Sequence, residues 1–246
     1  MSSLTMTYTR RQLTETLRTP VMFLTVVLVP VAVMLFFIVP FVGDNPSTMT
    51  YGTATMAVFA VMLACVGHFS TSVAALRESA WGSYLRTLPG GLAPQAVGHL
   101  LVGMVVVAAA VVPIIVVAWL FTAANAPIGR VLLAVGALLI TAVMFTFMGL
   151  AVGYLMGLAG TLIFNSVAFL PLSVAGGMFF DPENTPAFSE IVSPFIPTRG
   201  ASDLVVAALM PYSPDPLALF MFGAWTVVFA VLFVWGYRRD EGRRFR

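Results

Sequence analysis

Six long stretches of the chain are apolar and contain no Asp, Glu, Lys or Arg. A helix crosses the roughly 30 Å hydrocarbon core of a bilayer with about 20 consecutive apolar residues, and all six stretches are long enough. They are residues 21–42, 51–73, 97–121, 131–156, 158–180 and 217–237. Only 9% of the 246 residues are charged, against about 25% in ordinary soluble proteins. The sequence therefore predicts an all-α membrane protein with six transmembrane helices.

The first stretch has features of a secretory signal peptide, because Arg10, Arg11 and Arg18 precede it. Its apolar run is too long for such a peptide, however, and residues 41–44 (Phe-Val-Gly-Asp) contain no small-x-small cleavage site. We interpret it as a retained span.

The arginines predict the orientation of the six helices. With an even number of spans both termini lie on one side, and positive residues concentrate on the cytoplasmic side. Ten of the twelve basic residues lie on the side of the termini, and only Arg130 and Arg199 lie opposite. We therefore expect a multi-pass protein of the bacterial cytoplasmic (inner) membrane with both termini in the cytoplasm.

The interiors of the spans offer few polar groups. Ion-coupled carriers usually hold an ionisable side chain within the membrane, and the single candidate is His68, which is either functional or a hydrogen-bonded packing residue. His99 is expected near the cytoplasmic interface, and Asn165 is expected to bond between helices rather than to bind substrate. Cys65, the one cysteine, is expected to be a small core residue.

The chain has no means of its own to hydrolyse ATP by the usual route. The phosphate-binding loop G-x-x-x-x-G-K-[ST] requires a lysine, and all twelve basic residues are arginines. The net charge of +2 is too small to indicate a nucleic-acid partner. We predict no catalytic residues, no metal site and no cofactor in this chain, so that uphill transport would need a separate ATPase.

Two segments on the predicted cytoplasmic side are amphipathic. In residues 4–18, Met6, Leu13 and Leu17 share one helical stripe, which is typical of a helix lying in the membrane interface; a frayed basic tail is the alternative. In residues 76–89, Trp81 and Tyr84 begin an apolar i, i+3, i+4, i+7 face that ends at Pro89-Gly90-Gly91. This second segment is either a coupling helix that receives a soluble partner or a plain connection.

The longest external loop follows the fifth span and is rich in proline and glycine. Pro171 is expected to kink that span. The apolar stripe that ends at Phe195 is expected to be stopped by Pro194 and Pro197, and Ser202 is expected to cap a short helix that runs to about residue 210. Both pieces are too short to span, so we predict a helical hairpin that dips back toward the membrane.

These features together resemble the type-2 ABC exporter permeases, the ABC-2 family. The outer-loop motif that carries the resemblance is Pro171, Gly176, Phe179, Pro182, Pro186, Pro194, Pro197 and Arg199; Phe188 is predicted to belong to the same external gate hairpin. The coupling segment adds Arg77, Glu78, Gly82 and Leu85. Trp81 and Tyr84, which depart from the family pattern, are predicted coupling residues as well.

The resemblance implies a single transmembrane domain over residues 1–246 that acts as a permease without catalysis. It implies a homodimer with spans one and five at the seam, two ABC ATPase subunits that carry ATP and Mg²⁺, and an outer hairpin that helps to close the external mouth. The aliphatic and Phe-rich spans favour a hydrophobic drug, antibiotic or lipid as cargo. A secondary carrier or channel without an ATPase is the alternative, and a membrane sensor or assembly factor is a third.

The fourth span contains a tandem small-residue motif at Gly149, Gly153 and Gly157. Such motifs let helices approach closely. Packing within the subunit is the preferred interpretation, and a dimer contact is the alternative.

Overall fold

The computed structural model of the protein describes residues 6, 9–10, 13–14, 20–41, 45–79, 92–122, 124, 126–180 and 191–241. Within these ranges the regular structure is helical. Helix α1 comprises Pro20–Val33 and continues through a π-helical segment, Met34–Ile38, to Val39–Phe41. The helices that follow are α2 (Pro46–Glu78), α3 (Leu92–Phe121), α4 (Ile128–Leu155), α5 (Leu158–Ala175), α6 (Pro197–Leu209) and α7 (Pro216–Glu241).

Five of these helices are long and apolar enough to cross a membrane, namely α2, α3, α4, α5 and α7. They coincide with the last five predicted spans. Helix α1 occupies the place of the first predicted span, but the apolar helix recognised there, Val27–Phe36, is shorter than a span. Five helices of spanning length are therefore confirmed as candidate spans, and the sixth span stays a prediction.

The predicted interfacial helix falls mostly outside the described residues. Its described members Met6, Arg10, Leu13 and Thr14 are helical, and the Thr14 hydroxyl donates to the Arg10 carbonyl at 2.8 Å. Leu13 packs against the core while Met6 is 70% exposed.

Helix α2 forms the centre of the bundle. Its side chains are buried on nearly all sides, among them Met56, Val58 and Met62. A helix that is apolar all round is stable only when neighbours surround it, and α2 packs against α1, α3, α4 and α6. A π-helical segment, Leu63–Gly67, interrupts it opposite α4.

The close approach of α2 and α4 requires two of the three glycines in the small-residue motif. A Cβ at Gly149 would lie 2.7 Å from the Cys65 carbonyl oxygen, and one at Gly153 would lie 2.7 Å from the Ser70 carbonyl oxygen. This places the motif in packing within the subunit, as the sequence indicated. Gly157 differs, because it follows the end of α4 and faces a side chain of α2 instead.

Pro197 follows the 3-10 turn Ser193–Phe195 and the extended residue Ile196, so the preceding helical segment does not continue through it. It also begins α6, since the first helical position needs no backbone N–H donor. One expectation for the outer loop was wrong. Ser202 is not a cap, because it lies inside α6, where its hydroxyl is buried and has no hydrogen-bond partner among the described residues. Helix α6 is too short to span, and it packs against α2, α4 and α7.

Helix α5 ends at Ala175, five residues before the predicted end of its span. Gly177 has a φ of 77°, the left-handed conformation that glycine adopts without strain at helix C-termini. The chain therefore turns at Gly177. Pro171 lies inside α5, four residues before the helix ends at Ala175.

Candidate functional site

Polar and charged side chains gather at the two ends of the bundle. The Arg77 end contains the last residues of α2, α4 and α7 and the first residues of α5. The Arg199 end contains α6 and the first residues of α7. We describe each end in turn.

At the Arg77 end, the guanidinium of Arg77 joins α2 to α4 and α7. Its Nε lies 3.1 Å from Oδ1 of Asp240 in α7. Its Nη1 donates to the carbonyl of Gly153 at 2.7 Å and to that of Met156 at 3.1 Å. Gly153 lies in the last turn of α4, where carbonyls have no further helical N–H groups to bond, and Met156 is the residue that directly follows the helix.

The neighbouring carboxylate, Glu78, reaches a different helix. Its Oε1 accepts a hydrogen bond from the backbone N–H of Leu158, the first residue of α5, at 2.8 Å. A Cβ at Gly157 would lie 2.8 Å from the same oxygen, so that glycine leaves room for the carboxylate.

An aromatic cluster between α4 and α7 packs beside these contacts. The Tyr154 ring packs against Phe233 and Tyr237 at centroid distances of 5.7 and 5.6 Å, and the Arg77 guanidinium lies 5.6 Å from the centre of the same ring. Gly236 allows the contact, because a Cβ there would lie 2.9 Å from the Tyr154 Cβ.

A cavity of about 400 Å³ opens beside these contacts. It is lined by Arg77, Glu78, Tyr154, Leu155, Met156, Gly157, Gly236, Arg239 and Asp240. Two of the predicted coupling residues, Arg77 and Glu78, thus lie together on one cavity, directly before the segment of residues 80–91.

The remaining predicted coupling residues, Trp81, Gly82, Tyr84 and Leu85, lie outside the described residues. Sequence reasoning missed the contribution of α7 to this end. The available signal was Asp240, one of only four acids on the arginine-rich side of the predicted topology.

At the Arg199 end, a second charged cluster surrounds a buried carboxylate, that of Asp203. Arg199 Nε lies 3.1 Å from Oδ1 of Asp203, one turn later in α6. The Tyr212 hydroxyl accepts from Arg199 at 3.1 Å and donates to Asp203 at 3.3 Å. The backbone N–H of Asp215 donates to the other oxygen of Asp203 at 3.2 Å.

Asp203 is 1% exposed and is the centre of this network. Burial raises the pKa of Asp203 above its ordinary value, although Arg199, the Asp215 N–H and Tyr212 all favour the ionised form. The cost of desolvating the carboxylate therefore exceeds what its contacts return, as is common for buried ion pairs. The network fixes the turn between α6 and α7 in one geometry.

The other described hairpin residues lie in α5 and in the segments that follow it, up to the start of α6. The Thr198 hydroxyl donates to the Leu172 carbonyl at 2.7 Å, and Gly176 allows the contact, because any Cβ there would collide with the Thr198 side chain. Phe179 packs edge-on against Phe59 of α2 at 5.7 Å. Pro171 lies in α5, Pro194 in the short 3-10 turn Ser193–Phe195 and Pro197 at the start of α6, while Pro182 and Phe188 fall outside the described residues.

Between the two ends, the polar residues serve contacts between helices. Asn165 of α5 donates to the hydroxyls of Ser70 and Thr71 in α2 at 3.0 and 3.2 Å, which confirms its predicted interhelical role. Cys65 is fully buried, as expected for a core residue.

The two histidines both contact one phenylalanine ring. His68 and His99 each contact the Phe69 ring edge-on, at 5.1 and 5.5 Å. Among the residues that the structure describes, no group of three or more His, Cys, Asp or Glu side chains is placed to hold a metal ion.

Comparison with known proteins identifies the family to which this chain belongs. The family model described as ABC-2 type transporter matches residues 3–210, which include α1 to α6. No curated protein matches the chain. Because the family model covers far more than half of the chain, this protein belongs to the ABC-2 type transporter family, as a multi-pass membrane subunit that is not itself catalytic.

Proposed function

We propose that the protein is the membrane subunit of an ATP-driven exporter and that a separate ABC ATPase docks at its Arg77 end. One observation carries this proposal. Arg77 and Glu78, which belong to the predicted coupling segment (residues 76–89), tie the end of α2 to α4, α5 and α7. A push on that segment would reach four helices at once.

The position of the charges favours an external energy source over ion coupling. In the described parts of the five long helices, the charged side chains lie in terminal turns: Arg77 and Glu78 in α2, Arg130 in α4, and residues 238–241 in α7. A secondary carrier generally needs an ionisable group at membrane depth. We therefore prefer an exporter with an ATPase partner to a carrier or channel.

We expect the purified chain to show no ATPase activity by itself, because it lacks the lysine of a phosphate-binding loop. The test is to measure phosphate release by the chain in lipid nanodiscs, alone and after co-purification with an ABC ATPase from the same cells. Empty nanodiscs give the background. Hydrolysis above that background by the chain alone would contradict the proposal.

We propose that both termini and the Arg77 end face the cytoplasm and that α6 lies on the outer side. The support is the excess of arginines on the side of the termini. In this orientation the buried Arg199 cluster lies at the external mouth, where α6 would help to close the pathway.

Cysteine labelling tests this topology. In a chain with Cys65 replaced, cysteines at Ser2 and Arg246 should stay unlabelled by a membrane-impermeant maleimide in intact cells, whereas cysteines at Asn184 and Ser213 should be labelled. Permeabilised cells, in which all four sites should react, provide the control for reactivity. Labelling of Ser2 and Arg246 in intact cells would reverse the orientation.

We further propose a homodimer and a hydrophobic cargo. Much of α5 is exposed in the single chain, including Ile163, Val167 and Leu170, so this face is open to lipid or to a second copy. The aliphatic and Phe-rich spans favour a drug, antibiotic or lipid over a sugar.

A further inference from the structure

The connection between α4 and α5 is held by two adjacent residues of another helix. The C-terminus of α4 and the N-terminus of α5 meet at Met156 and Gly157. Helix termini leave backbone groups unpaired, and these are normally satisfied by side chains close in sequence. Gly157, at the N-cap position of α5, has no side chain and cannot act as the cap.

We propose that Arg77 and Glu78 form a paired cap, in which Arg77 caps α4, Glu78 caps α5, and the two act as positioning residues that tie the end of α2 to the α4–α5 turn. Adjacent residues on a helix point about 100° apart, so the two side chains can reach opposite sides of one turn. The bonds are from Arg77 to the Gly153 and Met156 carbonyls and from the Leu158 N–H to Glu78.

The charges of the pair match the helix ends that they contact. The C-terminus of a helix is partially negative and favours a cation, while the N-terminus is partially positive and favours an anion. Glu78 is at the same time the last residue of its own helix, where a negative charge is unfavourable. The negative charge of Glu78 is therefore favourable because of its contact with the N-terminus of α5, and not because of its place at the end of α2.

Gly157 provides an independent observation. Any side chain there would meet the Glu78 carboxylate, since a Cβ would lie 2.8 Å from Oε1. Gly157 thus leaves the N-cap of α5 without a side chain of its own, and it also leaves the space that the Glu78 carboxylate occupies. This assignment gives Glu78 a role inside the subunit instead of a contact with the ATPase.

Amide hydrogen exchange of the full chain in lipid nanodiscs tests the two caps separately. Glu78→Ala should speed exchange in the first turn of α5 about fivefold, which corresponds to the roughly 1 kcal/mol typical of a lost cap. Arg77→Lys should instead speed exchange in the last turn of α4, because a single ammonium cannot reproduce the forked guanidinium contacts. Unchanged exchange at both places would overturn the paired cap.

Glu241 offers a matched control at the same end of the bundle. Its carboxylate accepts from the Tyr237 hydroxyl within α7 at 3.2 Å. Glu241→Ala removes the same charge and should leave exchange in the α4–α5 turn unchanged. If Glu241→Ala speeds exchange in the α4–α5 turn as much as Glu78→Ala does, the effect comes from loss of a negative charge near the turn and not from loss of a cap. That result would overturn the assignment.

The positioning role rests on the proposed function, so it is tested by a separate measurement in the complex with the ATPase. In the complex with its ATPase, trapping with ATP and vanadate should change exchange in the first turn of α5. In Glu78→Ala that response should be lost while the ATPase still co-purifies. Loss of co-purification would overturn the assignment, because Glu78 would then be a docking residue. If the unaltered chain retains no ATPase, the proposed function fails while the nanodisc measurements still decide the caps.

Discussion

Replacing Gly149 by leucine is expected to destabilise the bundle by about 3 kcal/mol, at the upper part of the range for overpacked cores. The physical reason is that the added atoms meet backbone and not flexible side chains. A Cβ at Gly149 would already lie 2.7 Å from the Cys65 carbonyl oxygen and 3.0 Å from the Val66 Cα. Helix α2 would have to move away from α4, which would disturb the centre of the core.

The measurement is the thermal unfolding midpoint of the purified chain in detergent. At roughly 2–4 °C per kcal/mol for a chain of this size, the leucine variant should unfold about 6–12 °C earlier, and Gly149→Ala should fall between it and the unaltered protein. Gly136 is the matched control on the same helix, since nothing lies within 4 Å of a Cβ built there. Gly136→Ala should be neutral or slightly stabilising, because alanine is the better helix former. Equal losses at both positions would show that the α2–α4 contact is not the cause.

Asp203→Ala is expected to cost about 3 kcal/mol, near the lower limit for breaking a buried ion pair. The carboxylate accepts from Arg199, Tyr212 and the Asp215 N–H, and its removal leaves these donors without that acceptor. We use the lower limit because the Arg199 side chain is 18% exposed and keeps some access to solvent.

A second variant distinguishes the cost of leaving the Arg199 cation unpaired from the cost of lost packing around Asp203. In the double variant Arg199→Met with Asp203→Ala the uncompensated cation is gone, so its unfolding midpoint should be no lower than that of Asp203→Ala alone. Asp215→Asn is a nearby control that keeps the cap of α7, where Asp215 accepts from the Leu217 N–H at 2.9 Å. Additive losses in the double variant would contradict the pairing of Arg199 with Asp203.

The long helices were predictable from the sequence because apolar length alone determines which segments can cross a bilayer. Five helices of spanning length lie where apolar stretches were predicted, and α2 extends beyond its stretch through Arg77 and Glu78. The outer loop was predicted less well. Ser202 was taken as a cap, but α6 already begins five residues earlier at Pro197, because a proline that follows one helical segment can also begin the next.

The partners of the polar residues could be decided only by the tertiary structure. The sequence singled out Arg77 and Glu78, but not that α7 supplies Asp240 or that Glu78 reaches the first N–H of α5, 80 positions away. Hydrophobic periodicity specifies which residues avoid water, and it acts over a few helical turns. Hydrogen bonds and ion pairs instead require two atoms within about 3 Å, and that proximity is set by how the helices pack. The sequence therefore determined the membrane helices and the family of this protein, whereas the packing of α2 against α4, α5 and α7 decided what its charged residues contact.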